Sequence, residues 1–185
     1  MNIAIISASV RSGRNSHRVA LFFKNYIENQ QLAKVEILDL MDFQFPIFEE
    51  RLKFQQNPSA STLDFAQKFK AADGIIIVTP EYNGGYPASL KNVIDLLTDE
   101  WKRKPVAIST VSAGGFAGMQ VITSLQFTLW KMQAMTVPAM YPVPKVSESF
   151  DENGVPTDIT GAEKSAASFV NELLWSIEAK NRMSN

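Results

Sequence analysis

Cysteine is absent from the 185 residues, and histidine occurs once, at His17. Without thiols there are no disulfides, no thiolate nucleophile and no cysteine-ligated metal. A single imidazole gives no basis for a zinc site or a Ser-His-Asp triad, so no metal is expected. If the chain does redox chemistry, an organic cofactor must supply it. Excess charge is missing too. The formal net charge of −1 offers no concentrated basic surface, so neither nucleic acid nor an anionic membrane is an expected partner. No run of about 18 apolar residues occurs, which argues against a membrane span. The opening Met1-Asn2-Ile3-Ala4-Ile5-Ile6 has no basic leader and reads as a first strand, so a cytoplasmic location is expected.

What is present is the composition of an ordinary folded domain, 45% hydrophobic and 20% charged, and the length suits one domain over 1–185. Short apolar runs alternate with helical patterns. Ile3 to Ala8 reads as a strand buried on both faces, and Val19, Ala20, Phe23, Tyr26 and Ile27 share one helix face. Val35 to Leu38 marks a second strand. Ser61 with Asp64 resembles a capping box opening a helix through Ala72. Ile75 to Val78 is the clearest strand. Pro87 stands at a first helical position ahead of Leu90, Val93, Ile94 and Leu97. Val106 to Val111 is a fourth strand, a helix spans about Gly118 to Met132, and Thr136 to Met140 is a weaker fifth strand. The last helix aligns Ala166, Phe169, Val170, Leu173, Leu174 and Ile177. This alternation predicts a parallel sheet with helices on both faces. Two segments break the rhythm: 41–58, which contains Phe43, Phe45, Phe48 and Phe54, and the Pro-rich, polar 141–160. Connections of this length are usually functional or lie at interfaces.

In an open parallel sheet, ligands sit beyond the carboxyl ends of the strands, where strand order reverses. Three loops there are unusual. The first, Ser7 through Arg18, has hydroxyls, three arginines and helix-start amides, which together favour a phosphate. Its alternative is a solvated turn capped by Asn15 or Ser16. It lacks the G-x-x-x-x-G-K-[ST] pattern of P-loop nucleoside triphosphatases, and no acidic cluster follows strand 1. The second, Thr79-Pro80-Glu81-Tyr82-Asn83-Gly84-Gly85-Tyr86-Pro87, combines prolines that set its ends with glycines that permit positive φ or close approach. Tyr82 is suited to cover an aromatic ring, and Asn83 to bond its polar edge. The third, Ser112-Ala113-Gly114-Gly115-Phe116-Ala117-Gly118, is in isolation as compatible with a tight turn as with a ligand contact.

Taken together, Ser9-x-Arg11 with Ser16, Pro80-Glu81-Tyr82-Asn83, Leu90-Lys91-Asn92-x-Ile94-Asp95 and Ser112-x-Gly114-Gly115-x-x-Gly118 resemble the NADPH-dependent FMN reductase family, which includes quinone, azo-dye and chromate reductases. The resemblance spans roughly 3–140. It implies an α/β flavodoxin-like three-layer sandwich, with a five-stranded parallel sheet in the order 2-1-3-4-5. It also implies FMN and NAD(P)H as cofactors. Carried over by motif, Ser9, Arg11, Ser16 and the His17 amide surround the FMN phosphate, with Arg18 nearby. Pro80, Glu81, Tyr82, Asn83 and Gly84 border the isoalloxazine, while Ser112, Gly114 and Gly115 face its pyrimidine edge. Two features depart from the pattern: Arg14-Asn15 lengthens the first loop, and Gly85 stands where many members have serine.

The resemblance further implies hydride transfer from NAD(P)H through flavin N5 to a small acceptor, such as a quinone, azo compound, free flavin or metal oxyanion. The flavin carries the chemistry, so no catalytic side chain is expected, and Glu81 is read as holding its loop. The alternatives are a flavodoxin-like electron carrier and a non-catalytic flavin-binding protein. Family members are oligomers, which implies a homodimer or homotetramer packed through the helix beginning near Pro87. Leu96 and Trp101 lie off that helix's main stripe, where they either cover a partner or complete the core.

Overall fold

The computed structural model describes residues 1–183. Its strands are β1 (Asn2–Ser7), β2 (Lys34–Asp39), β3 (Gly74–Pro80), β4 (Pro105–Val111) and β5 (Met135–Val143). They form one sheet in the order β2-β1-β3-β4-β5, with every neighbouring pair parallel. This is the flavodoxin-like arrangement that the resemblance implied. The chain moves from β1 outward to β2 and then crosses to β3 on the other side of β1. The order therefore reverses between β1 and β3.

Period-two alternation sorts the strand residues between two cores. Ile3 and Ile5 face a layer made by α1 (Ser16–Asn29) and α7 (Ile159–Met183), with Phe23, Ile27, Phe169 and Leu173 buried there. Ala4 and Ile6 face the opposite layer, where α3 (Ala60–Ala71), α4 (Ala88–Leu96) and α5 (Gln120–Lys131) bring Phe65, Phe69, Leu90, Val93 and Leu125. Two four-residue helices, α2 (Leu40–Phe43) and α6 (Val146–Ser149), and two 3-10 turns, Leu52–Phe54 and Asp99–Trp101, complete the chain order.

Several sequence expectations shift. The cap of α3 is Ser59, not Ser61: the Ser59 hydroxyl accepts the Thr62 N–H at 3.1 Å, whereas Ser61 donates to the Phe43 carbonyl at 3.0 Å. Ser59 has the extended backbone that a cap requires and Ser61 is already helical. Pro87 is the residue before α4 rather than its first turn. Strand β5 runs three residues beyond Met140, with a register irregularity opposite Val106 and Ile108. Pro138, which has no N–H to donate, lies within that irregular stretch of an edge strand, where it is tolerated. Leu96 and Trp101 belong to the chain's own core, 7% and 0% exposed, and Trp101 sits 4.5 Å from Phe69 between ring centroids.

The two arrhythmic segments are also placed. Phe43 and Phe45 pack edge-on against Phe65 at 5.1 and 5.2 Å. The Asn92 side chain holds that connection by donating to the Pro46 carbonyl at 2.7 Å and accepting the Phe48 N–H. In the second segment, Gly154 crosses α1 so closely that an added Cβ would lie 2.6 Å from the Arg18 carbonyl oxygen.

Candidate active site

The loops after β1, β3 and β4 meet at one sheet edge around a cavity of about 190 Å³. Of the residues singled out from sequence, Ser9, Arg11, Ser16, Pro80, Glu81, Tyr82 and Ser112 line it. A larger cavity, about 620 Å³, lies between the end of β5 and the start of α7, away from these loops.

In the first loop, Asn15 takes the N-cap position of α1, but its side chain makes no hydrogen bond to the helix amides. The Ser16 hydroxyl is buried with no hydrogen-bond partner. A helix start with unclaimed amides and an unpaired hydroxyl suits an anion, through both donors and the helix dipole. The arginines take different roles. Arg11 is exposed. Arg14 turns back, donating to the Ser9 carbonyl at 2.7 Å and pairing through both terminal nitrogens with Asp39. Arg18 points away, donating to the Phe150 carbonyl at 2.9 Å, so the structure does not bring its side chain to the cavity.

The His17 ring also faces away. Its Nδ1 lies 3.1 Å from Ser7 Oγ and 3.3 Å from an Asp39 oxygen. Burial lowers the imidazole below its ordinary value and Arg14 adds to this, against the opposing pull of Asp39 and Asp42.

The second loop closes on itself. Tyr82 and Gly85 exchange backbone hydrogen bonds at 2.8 and 3.0 Å, around Asn83 and Gly84 with φ of +52° and +80°. An Asn-Gly pair is the usual occupant of such a turn, since both central residues need positive φ. The Tyr82 hydroxyl reaches Ser9 Oγ at 2.7 Å, linking this loop to the first. Glu81 accepts the Gln120 N–H at 3.1 Å, at the first turn of α5.

The third loop is held from behind by the end of β5 and the chain that follows it. The Ser112 N–H donates to the Val143 carbonyl at 3.0 Å, and Lys145 N–H donates to the Gly114 carbonyl at 3.0 Å. An added Cβ at Gly114 or Gly115 would meet nothing within 4 Å. The protein's own packing therefore does not require glycine at either position. Gly118 differs: its φ is +68° and a Cβ would crowd the Val111 backbone at 3.2 and 3.3 Å.

Three contributors were not legible in the sequence. Asp39 and Gln120 reach the loops only through tertiary folding, and Val146 lines the cavity from a segment read as irregular. Arg14 was visible as a basic residue, but its partner was not. Among the described residues, no group of three or more His, Asp or Glu could hold a metal, and no helix is long and apolar enough to cross a membrane.

The sequence profile of NADPH-dependent FMN reductases matches residues 1–148. An NAD(P)H-dependent FMN reductase of Saccharomyces cerevisiae is 35% identical over 142 residues, covering 70% of this chain and 73% of the yeast protein. A quinone reductase of Pseudomonas putida is 28% identical over 167 residues, covering 86% of each chain. In fold, the chain resembles FerB, a flavoenzyme NAD(P)H:(acceptor) oxidoreductase from Paracoccus denitrificans. The TM-score is 0.79 at 23% identity, covering 96% and 97% of the two chains.

Proposed function

Because the chain belongs to the NADPH-dependent FMN reductase family, we propose that it binds FMN at the three-loop edge and reduces a small acceptor with electrons from NAD(P)H. The acceptor class is a quinone, azo compound, free flavin or metal oxyanion. The observation that carries the site assignment is the buried, unpartnered Ser16 hydroxyl at the uncapped start of α1. A buried hydroxyl without a partner is costly, and a phosphate oxygen would satisfy it.

Bound FMN supplies the hydride chemistry, accepting from reduced nicotinamide and delivering to the acceptor. The chain's residues bind and orient. In this reading Ser9, Arg11, Ser16 and the His17 amide hold the phosphate, and Pro80 through Gly84 border the ring. Backbone amides of Gly114 and Gly115, with Ser112, face its pyrimidine edge and stabilise negative charge there. The open space at both glycines supports that approach. Glu81 is engaged at Gln120, which supports a structural role and leaves no side chain required as general acid or base. Arg18 has no role in this reading.

A single domain over 1–185 and a cytoplasmic location, where reduced nicotinamide is supplied, belong to the same proposal. So does a homodimer or homotetramer. Leu96 and Trp101 do not support it, being buried within the chain. The exposed Phe127 and Trp130 of α5, with ring centroids 5.8 Å apart, do.

The test is a visible spectrum of the purified protein, supplemented with FMN, before and after anaerobic NADPH or NADH. An oxidised flavin spectrum that bleaches rapidly is expected. A colourless protein that takes up no FMN would refute the reading, and bound flavin that neither nucleotide reduces would favour an electron carrier.

A further inference from the structure

Asp39 lies outside the three loops, at the end of β2, yet the sheet register delivers it to the first of them. It is paired across the sheet with Ser7, the last residue of β1 before the loop begins. Its two carboxylate oxygens take both terminal nitrogens of Arg14. One of those nitrogens also donates to the Ser9 carbonyl at 2.7 Å. The carboxylate further accepts the Met41 N–H at 3.1 Å and faces His17 Nδ1 at 3.3 Å. Both partners of the pair are largely shielded, with side chains 13% and 8% exposed. Arg14 is therefore held in a fixed fork, which a planar guanidinium forms and a lysine does not.

We propose that Asp39, acting through Arg14, is a positioning residue that holds the loop from Ser9 to Ser16 in the shape that receives the FMN phosphate; this rests on the assignment of that loop to the phosphate. The extra Arg14-Asn15 of the first loop thus serves as a strut and not as another phosphate ligand. Fixing the Ser9 carbonyl orients the Ser9 hydroxyl, which accepts the Arg11 N–H at 3.3 Å and meets Tyr82 at 2.7 Å. One strut therefore sets the backbone of the first loop and its link to the second. Pairing also neutralises Asp39, whose free carboxylate would repel a phosphate dianion nearby.

The role is tested by titrating apoprotein with FMN and, separately, with riboflavin, which lacks the phosphate. Wild type, Asp39→Asn, Arg14→Met and Arg14→Lys are compared. The strut predicts that each substitution weakens FMN binding by about tenfold or more, the range of a lost charge-assisted contact, and leaves riboflavin affinity nearly unchanged. Equal loss of both ligands would mean a general structural role and overturn the proposal. So would an Asp39→Asn protein that binds FMN as well as wild type, or better, while Arg14→Met binds it poorly, because Arg14 would then be a direct ligand. If Asp39→Asn fails to fold, Arg14→Lys decides: retained FMN preference overturns the strut, and lost preference supports it. Wild-type protein that does not distinguish FMN from riboflavin would instead refute the phosphate assignment itself.

Discussion

The Glu81 carboxylate accepts the backbone N–H of Gln120 at 3.1 Å, joining the loop after β3 to the first turn of α5. The contact spans a stretch that includes all of α4 and β4. It fastens two walls of the candidate site to each other, at a helix start where an anion is favoured by the dipole.

Glu81→Gln keeps an acceptor at that helix start, so most of the reductase activity is expected to survive. Glu81→Ala removes it and should cost about 0.5–2 kcal/mol of stability, as for a lost helix cap. Steady-state kinetics and thermal melts separate the two effects. A fall of several orders of magnitude in kcat for the glutamine variant, with flavin still bound, would make Glu81 a catalytic residue.

Gly114 and Gly118 should respond in opposite ways. Alanine at Gly114 enters open space, so the melting temperature should hold while FMN affinity falls. Alanine at Gly118 must adopt φ of +68° against the Val111 backbone, costing roughly 1–2 kcal/mol from the left-handed conformation alone. A Gly114→Ala protein with unchanged FMN affinity would remove the case for close ligand approach.

Gly154 tests what the 141–160 segment does. Its Cβ would lie 2.6 Å from both the Arg18 carbonyl oxygen and the Phe22 nitrogen, at φ of +78°. Strain and overpacking together predict roughly 2–5 kcal/mol of destabilisation for Gly154→Ala. A urea melt that matches wild type would show that the segment can lift from α1 at little cost.

Lys104 closes the C-terminal end of α3, its ammonium donating to the carbonyls of Phe69, Lys70 and Ala72. Burial, with Lys180 adding to it, lowers its pKa to about 8, against the opposing effect of Asp73 and Glu100. The unfolded chain then binds more protons than the folded one between about pH 8 and the unperturbed value of 10.5. The penalty for burying the charge is full below that window and relieved as pH rises through it. Stability relative to Lys104→Met should therefore climb from pH 8 to 10.5 in denaturant melts. A flat difference would mean that the three carbonyls keep the ammonium near its ordinary pKa.

Much of the fold was legible because its signals are local. Ile75 to Val78, the α1 stripe from Val19 to Ile27 and the terminal helix each show their period within a short window. The Tyr82–Gly85 turn was readable for a similar reason, since Asn83 and Gly84 are the residues that tolerate its backbone. The α3 cap was misplaced by two residues because Ser59 and Ser61 carry the same hydroxyl. Only backbone conformation distinguished them.

The sequence by itself determined the alternation of strands and helices, the absence of thiol chemistry and the three unusual loops at the carboxyl ends of the strands. The tertiary structure alone decided which charges meet there. Arg14 and Arg18 are alike in composition and neighbourhood, yet one braces Ser9 through Asp39 and the other bonds Phe150. Side-chain periodicity is a property of neighbouring residues, whereas these pairings arise from sheet register and helix packing, which bring distant residues within a few ångströms.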